Sequence, residues 1–312
     1  MASSETTDLH SDHPGISVIL VCYNCSDVLR RSIAAIERSE GRDAIEIIVV
    51  DNASTDGSAQ IEDEFPNITM LRLPRNFGLT RARNIAIRTA RAPFLFFLDP
   101  AVEVLPDTLS ELARILDADS DVVAAVPLIS DTAGQVLTRH YRLPSPEDLY
   151  RIWQSGQWPT PLPISTEEPT QLHWTPADAM LIRASFIRGM NYLDERYAQH
   201  WSDLDLCRNI ARSGKKLLLI PRLRAIKCEQ EPYELNPDAR ALLSADLALG
   251  AAAYVSKYFG FTAGLRFRIR TVLASLGSWM KSLLRARDVG YRFHVFMSIL
   301  SGQRIDGSQG AM

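Results

Sequence analysis

Between Ile16 and Pro127, short apolar runs alternate with amphipathic stretches. That alternation constrains the fold more than any single residue. ISVILV (16–21), IEIIVV (45–50), ITMLRL (68–73), FLFFL (94–98) and DVVAAVP (121–127) have the length and composition of strands. Between them, SDVLRRSIAAIERS (26–39) reads as a helix capped by Ser26 or Asp27. A short helix at 58–64 ends at Pro66, LTRARNIAIRTAR (79–91) is a third helix, and a fourth runs from Pro106, in its first turn, to Leu116. Strands alternating with helices pair in parallel, with helices on both faces of the sheet. FLFFL carries no polar alternation, as expected of a strand buried on both sides.

The pattern breaks twice. Residues 1–14 read as a disordered tail. Residues 141–171, rich in Pro, Glu and Ser and holding Trp153 and Trp158, read as a long irregular excursion. Order resumes with AMLIRASFI (179–187), a helix from Ser202 to Arg212 stopping at Gly214, and the strand LLLIP (217–221). Residues 238–300 read as helical, with breaks at Gly260, Gly264 and Gly277. The expected organisation is an α/β domain over 15–236, with halves 15–130 and 131–236, followed by a basic, mostly helical segment over 237–312.

Charge separates that last segment from the rest. The chain carries a net charge of −3, yet residues 251–300 hold Lys257, Arg266, Arg268, Arg270, Lys281, Arg285, Arg287 and Arg292 against one acid, Asp288. Apolar residues interleaved with cations in GLRFRIRTVLASLGSWMKSLLRAR suit an interfacial helix, so peripheral membrane contact is expected through 251–300. Nucleic acid is not an expected partner, because the whole chain is acidic and carries no recognisable nucleic-acid module. No apolar run approaches the ~20 residues of a membrane span, and the N-terminus is polar, without the core of a signal peptide. These features point to a cytoplasmic protein, peripheral on the inner face of the membrane. Of four cysteines, Cys22 and Cys25 have zinc or redox spacing, but Cys207 and Cys228 form no second pair, so buried apolar thiols are the expectation.

Three strand ends carry polar residues: Tyr23-Asn24, Asp51 in DNASTDGS, and Asp99. In a parallel sheet these ends share one ligand-binding crevice. No G-x-G-x-x-G and no G-x-x-x-x-G-K-[ST] occurs, which disfavours a classical dinucleotide dehydrogenase and a P-loop NTPase. The loop CYNCSDVL also lacks the glycine and the cation that a nucleotidyltransferase would place there.

ISVILVCYN, IIVVDNASTDGS, RNFGLTRARNIAI and FLFFLDPAVEVLPDTL, in that order, resemble the nucleotide-binding half of family-2 inverting glycosyltransferases, which have the GT-A type of fold. LIRASFIRGMNYLDERYAQHWSDLDLCRNIARSGKKLLLIP resembles the acceptor half, and the likeness runs from Ile16 to Lys227, closest in flavour to the rhamnosyltransferase-like branch. The resemblance implies transfer of a hexosyl or deoxyhexosyl group from a nucleotide-sugar donor to a hydroxyl of a glycan or lipid-linked acceptor. The implied setting is cell-surface polysaccharide biosynthesis. Cys22, Tyr23, Asn24, Asp51, Gly78, Arg83, Asp99 and Lys227 would then line the donor site. Asp203 in WSDLDLCR would be the general base, with Ser202 where the family has Glu and Asp205 in support. Trp174, Asp178, Asp194 and Glu195 would lie on the acceptor side. Each has a plainer role available: a turn for Asp51, a helix cap for Asp203, a solvated helix face for Arg83, a surface loop for Asp194 and Glu195.

The family commonly has acid–any–acid at the position of Asp99, the last acid binding Mg²⁺ or Mn²⁺. Here that position is Ala101, and Lys227 stands where many members have a histidine ligand. Three alternatives stay open. Asp99 holds a metal with Glu103 or water; or Lys227, with Arg83 or Arg224, neutralises the phosphates and the enzyme is metal-independent; or the protein is degenerate and binds nucleotide or sugar without turnover.

Overall fold

The computed structural model describes residues 15–229 and 237–303. The tail expected at 1–14 and the domain boundary expected at residue 236 lie outside the described residues. Strands β1 (Ile16–Cys22), β2 (Ile45–Asp51), β3 (Ile68–Arg72) and β4 (Phe94–Leu98) form a parallel block in the order β3-β2-β1-β4, linked by helices α1 (Ser26–Glu37) and α2 (Leu79–Thr89) among others. The chain builds outward from β1 to β3 and then crosses to the other side of β1 to lay down β4. That reversal opens a crevice at the carboxyl ends of β1 and β4.

Beyond β4 come β5 (Val102–Val104), α3 (Thr108–Ala118), β6 (Val122–Asp131), α4 (Pro146–Ser155), β7 (Thr170–Gln171), β8 (Ala179–Arg183), α5 (Ala184–Gly189), α6 (Ser202–Arg212) and β9 (Lys216–Lys227). The sheet continues β4-β8-β6-β9-β5, with β7 on β9. β1, β2, β3, β4, β6 and β9 run one way; β5, β7 and β8 oppose them. β5 starts just after β4, yet pairs at the far edge with β9. The sheet therefore curls, bringing the end of β9 back to the end of β4.

Both faces are covered. One apolar layer joins the sheet to α1 and α3 through Leu29, Ile33, Leu109 and Leu112. The other joins it to α2, α4, α6 and the C-terminal helix α7 (Pro237–Phe259) through Ala86, Leu149, Leu204 and Tyr254. These residues recur at helical spacing, and burying such a stripe is what stabilises each helix.

Four local expectations are corrected. Neither Ser26 nor Asp27 caps α1. The Cys25 N–H donates to Ser58 Oγ (3.2 Å) and the Ser26 N–H to the Asp56 carboxylate (3.0 Å), so the loop after β2 caps the helix after β1. Pro106 precedes the cap residue Asp107 of α3 rather than sitting in its first turn. Residues 141–171 are not irregular throughout: α4 opens with a capping box in which Ser145 and Asp148 bond each other's backbone N–H, with Pro146 following the cap. Among the expected C-terminal breaks only Gly260 is real. Gly264 and Gly277 lie inside α8 (Phe261–Arg285); the next break comes at Ala286 and Asp288, both at positive φ, before α9 (Val289–Ser301). Gly264 is a contact point: a Cβ there would sit 2.5 Å from Ser256 Cβ on α7.

α8 is oriented against its own composition. It buries Gly264, Phe267, Thr271, Ser275 and Ser282, and exposes Phe261, Leu265, Ile269, Leu273, Met280, Leu283 and Leu284, the last 90% accessible. The buried hydroxyls of Thr271, Ser275 and Ser282 donate to carbonyls of their own helix, which makes their burial tolerable. Among the described residues no helix is long and apolar enough to cross a membrane.

Candidate functional site

The ends of β1 and β2 are knitted into one rim. Cys22 pairs with Asp51 in register, and Asn24, in the left-handed region at φ 51, donates its N–H to Ser54 Oγ (3.0 Å) and accepts the Thr55 N–H at its Oδ1 (2.7 Å). The Asn24 amide nitrogen is buried without a hydrogen-bond partner. Asp51 is buried and accepts the Ser54 N–H (3.0 Å), so its turn-forming role is real and coexists with any role toward a base. Asp56 bonds the N–H groups of Ser26 and Ser58, which makes it a cap. Tyr23 is half-buried on the same rim. Contact with Cys25 and burial push the Cys22 thiol far above its usual range. All four cysteines are free and buried, though Cys228 is not in apolar surroundings: it accepts from Arg31 (3.0 Å) and donates to Glu103 (3.0 Å).

Two residues of this rim, Asn52 and Asn76, escaped the sequence reading. Asn52 donates to Asn76 Oδ1 (2.8 Å) and accepts the Phe77 N–H (2.9 Å), clamping the loop before α2 to the end of β2. Its position directly after a strand-terminal acid was the available signal. Gly78 follows that loop at φ 79, and a Cβ there would meet the Ala198 carbonyl oxygen at 2.9 Å. It thus allows a tight seam between the donor half and the turn before α6.

The curl of the sheet gathers a charged cluster at the crevice. The Asp99 N–H donates to the Asp178 carbonyl (2.7 Å) at the β4–β8 junction. Lys227, the last residue of β9, puts its ammonium 2.8 Å from Asp178 Oδ2 and 3.6 Å from Asp99 Oδ2. Burial pulls the Lys227 pKa down, but the two carboxylates outweigh it and the net direction is up. Asp178, expected on the acceptor side, thus stands beside Asp99 and Lys227, two residues expected at the donor site. Arg83 is no solvated surface residue. It is buried, donates to the Ala177 carbonyl (3.1 Å) and lies over the Phe97 ring at 5.1 Å. Burial lowers its pKa against the pull of Asp203, Asp178 and Asp99, which places all three acids within its field.

Asp203 stands in the first turn of α6 and accepts the Leu204 N–H (2.7 Å). Burial raises its pKa, opposed by that N–H, by Arg83 and by His200, while Asp178 adds to the rise. A carboxylate held above its ordinary range is a better proton acceptor near neutral pH. Helix α7 fixes its position. Trp201 precedes α6 at φ 74, a conformation that costs a bulky residue about 1–3 kcal/mol. Its indole donates to the Leu247 carbonyl (2.8 Å), and fully buried Asp246 takes the N–H groups of Gln199 and His200 and the His200 ring. Asp205 is likewise buried, bonded by Lys257 (2.8 Å), Tyr258 (2.8 Å) and Tyr197 (3.2 Å). Asp246 and Lys257 were missed; a lone acid in the apolar run ALLSADLALG was the clue to the first.

The remaining acceptor-side residues do not converge on Asp203. Asp194 is held by Arg196 (2.7 Å) and Lys257 (3.1 Å), which bring its pKa down to about 2 against burial. Glu195 accepts from Asn84 (3.1 Å). Both line a cleft of about 670 Å³ with Arg88, Asn209 and Lys257. Trp174 is buried and cannot touch an acceptor directly. It lies under Trp158, centroids 5.8 Å apart, and Trp158 is half exposed and also 6.0 Å from Trp201. Trp158 is the ring that the surface presents there.

These residues do not fit a divalent ion. Such a site needs carboxylates open to the metal. Asp99 accepts the Ala101 N–H at Oδ1 (2.8 Å) and faces an ammonium at Oδ2. Ala101 is packed into the core beneath β4. Glu103, the alternative ligand, is paired with Arg31 (2.8 Å) and bonded by Cys228. Among the described residues no three His, Cys, Asp or Glu side chains are grouped as a metal would require.

Comparison with known proteins agrees with the fold. The model of the family described as "Glycosyl transferase family 2" matches residues 17–173. N-acetylglucosaminyl-diphospho-decaprenol L-rhamnosyltransferase of Mycobacterium tuberculosis is 24% identical over 295 residues, covering 87% of this chain and 95% of that protein. Among solved structures, S. aureus TarS (residues 1–349) superposes with a TM-score of 0.52 at 15% identity, covering 95% of this chain and 98% of that one. Mannosyltransferase PcManGT from Pyrobaculum calidifontis, solved with GDP-Man and Mn²⁺, gives 0.51 at 16% identity, covering 94% and 89%. The fold is the GT-A type, with a C-terminal helical part.

Proposed function

Because the chain belongs to glycosyltransferase family 2, we propose that it moves a hexosyl or deoxyhexosyl group from a nucleotide-sugar donor to an acceptor hydroxyl with inversion, Asp203 being the general base. The observation that carries this reading is the placing of Asp203 at the start of α6, under the field of Arg83, beside the Asp99–Asp178–Lys227 cluster. In such a transfer the base takes the acceptor proton as the hydroxyl oxygen attacks the anomeric carbon, and the nucleoside diphosphate leaves from the opposite face. The Asn24–Asp51 rim holds the nucleotide. The mycobacterial relative's name gives a diphospho-decaprenol-linked acceptor. A polyprenyl-linked glycan suits this chain too, because the apolar face of α8, flanked by Arg266, Arg268, Lys281 and Arg285, complements an anionic membrane surface.

Asp203→Asn tests the reading. Turnover falls about 10²–10⁴-fold while donor affinity, followed by thermal shift with a nucleotide-sugar panel, changes little. The base works as a carboxylate, so protonation stops it. Since burial raises its pKa, activity declines on acidification at a higher pH than an exposed aspartate would give, and that acid limb disappears in the variant. Unchanged turnover in Asp203→Asn removes the residue from the role. Donor binding without transfer in the unmodified protein would make it the degenerate, non-catalytic binder that Ala101 and Lys227 left open.

A further inference from the structure

We propose that Lys227 is a built-in cation for the donor diphosphate, standing where a divalent ion would stand, so that donor binding needs no metal. The inference rests on the nucleotide-sugar reading above and concerns how this chain meets the donor's charge. The two carboxylates best placed to hold a metal, Asp99 and Asp178, hold the Lys227 ammonium instead, at 3.6 and 2.8 Å. Backbone pairing fixes the arrangement. Lys227 is opposite Val102 on β5 and Asp131 on β6, and the Cys228 N–H donates to the Ala101 carbonyl (2.8 Å). The position lacking an acid and the position supplying a cation are therefore neighbours in space, although far apart in the chain.

The ammonium suits the task. It has three N–H donors and no acceptor. Asp178 takes one of them at 2.8 Å, while Asp99 at 3.6 Å makes an ion pair, so N–H capacity remains for a phosphate oxygen. The side chain keeps 33% of its surface exposed, so an incoming ligand reaches it. Lysine binds phosphate as a compact point charge. Arg83 cannot substitute, being buried and committed to the Ala177 carbonyl, and Arg224 is an exposed residue of β9 that, among the described residues, makes no ion pair with the cluster. One positive charge replaces two, so this site is weaker and more salt-sensitive than a metal-bridged one.

Calorimetric titration of the full chain with UDP, GDP, CDP and dTDP, in EDTA and then in Mn²⁺, tests the proposal. For whichever nucleotide binds, the dissociation constants in the two buffers agree within about threefold. Lys227→Met weakens binding at least about tenfold, the scale of a lost hydrogen bond to a charged group. Lys227→Arg, which keeps the charge, retains most of it. Binding that is at least about tenfold tighter with Mn²⁺ in the unmodified protein overturns the inference and leaves the transferase reading standing. Full-strength binding by Lys227→Met overturns it as well. Failure of all four nucleotides in both buffers overturns both readings. The comparison of buffers needs no variant, so it decides even if Lys227→Met folds poorly.

Discussion

Helices α7 and α8 are similar in length and separated only by Gly260, yet they bury opposite kinds of residue. α7 buries Leu242, Leu249, Tyr254 and Val255 with a series of alanines, and buries the acid Asp246 as well. α8 buries Gly264, Thr271, Ser275 and Ser282 beside one large ring, Phe267, and turns seven other large apolar residues outward. One helix completes the core and pins the turn before Asp203. The other is packed through its small residues and offers a face that water does not favour. Helicity and basic charge alone, read along residues 238–300, do not distinguish these roles; the direction of each face does.

The largest expected effect lies on α7. Leu249→Ala should cost about 2–5 kcal/mol in urea unfolding, whereas Leu284→Ala on α8 should stay within about 0.5 kcal/mol. Similar costs for the two would erase the contrast. Next comes Lys257→Met, which leaves Asp205 buried without its cation. A loss of about 3 kcal/mol is expected, near the low end for a broken buried pair, because Lys257 keeps 26% of its side-chain surface exposed. A smaller cost would mean that the two tyrosines and Asn209 satisfy Asp205 by themselves. The smallest effect per residue belongs to the α8 face. Binding to anionic vesicles should drop by roughly 1 kcal/mol for each of Arg266, Lys281 and Arg285 changed to Gln, and should fall further with Ile269→Ser and Leu284→Ser. Stability in water should hold throughout. Vesicle binding indifferent to all five changes would assign the face to a protein partner or a second copy.

Much of the polar rim at the ends of β1, β2 and β4 was legible because chemistry and periodicity coincide there. Asp51 and Asp99 stand at the ends of the apolar runs IIVV and FLFFL, and such strand ends share one edge in a parallel sheet. The Lys227–Asp178 contact was not legible, since it depends on the antiparallel insertion of β8 and on the β5–β9 register, which no local pattern announces. The tryptophans illustrate a different limit. Composition placed Trp158 in an excursion and the family resemblance placed Trp174 toward the acceptor, but only packing reveals which ring is covered and which is shown. The capping box of α4 was written in Ser145, Pro146 and Asp148, and the surrounding prolines masked it.

The curl of the sheet also sets an order of assembly. Asp51 and Asp99 belong to strands made early in synthesis, whereas Lys227 ends the last strand and finds its partners only when β9 has threaded between β6 and β5. Contacts this distant in sequence form slowly, after the local ones. During synthesis the first half of the domain leaves the ribosome with Asp99 in place, while Asp178 and Lys227, its partners in the cluster, are still to come. On the proposal that Lys227 meets the donor diphosphate, competence to hold it is acquired late, once the second half of the domain has docked, and a chain ending before β9 should not sequester donor.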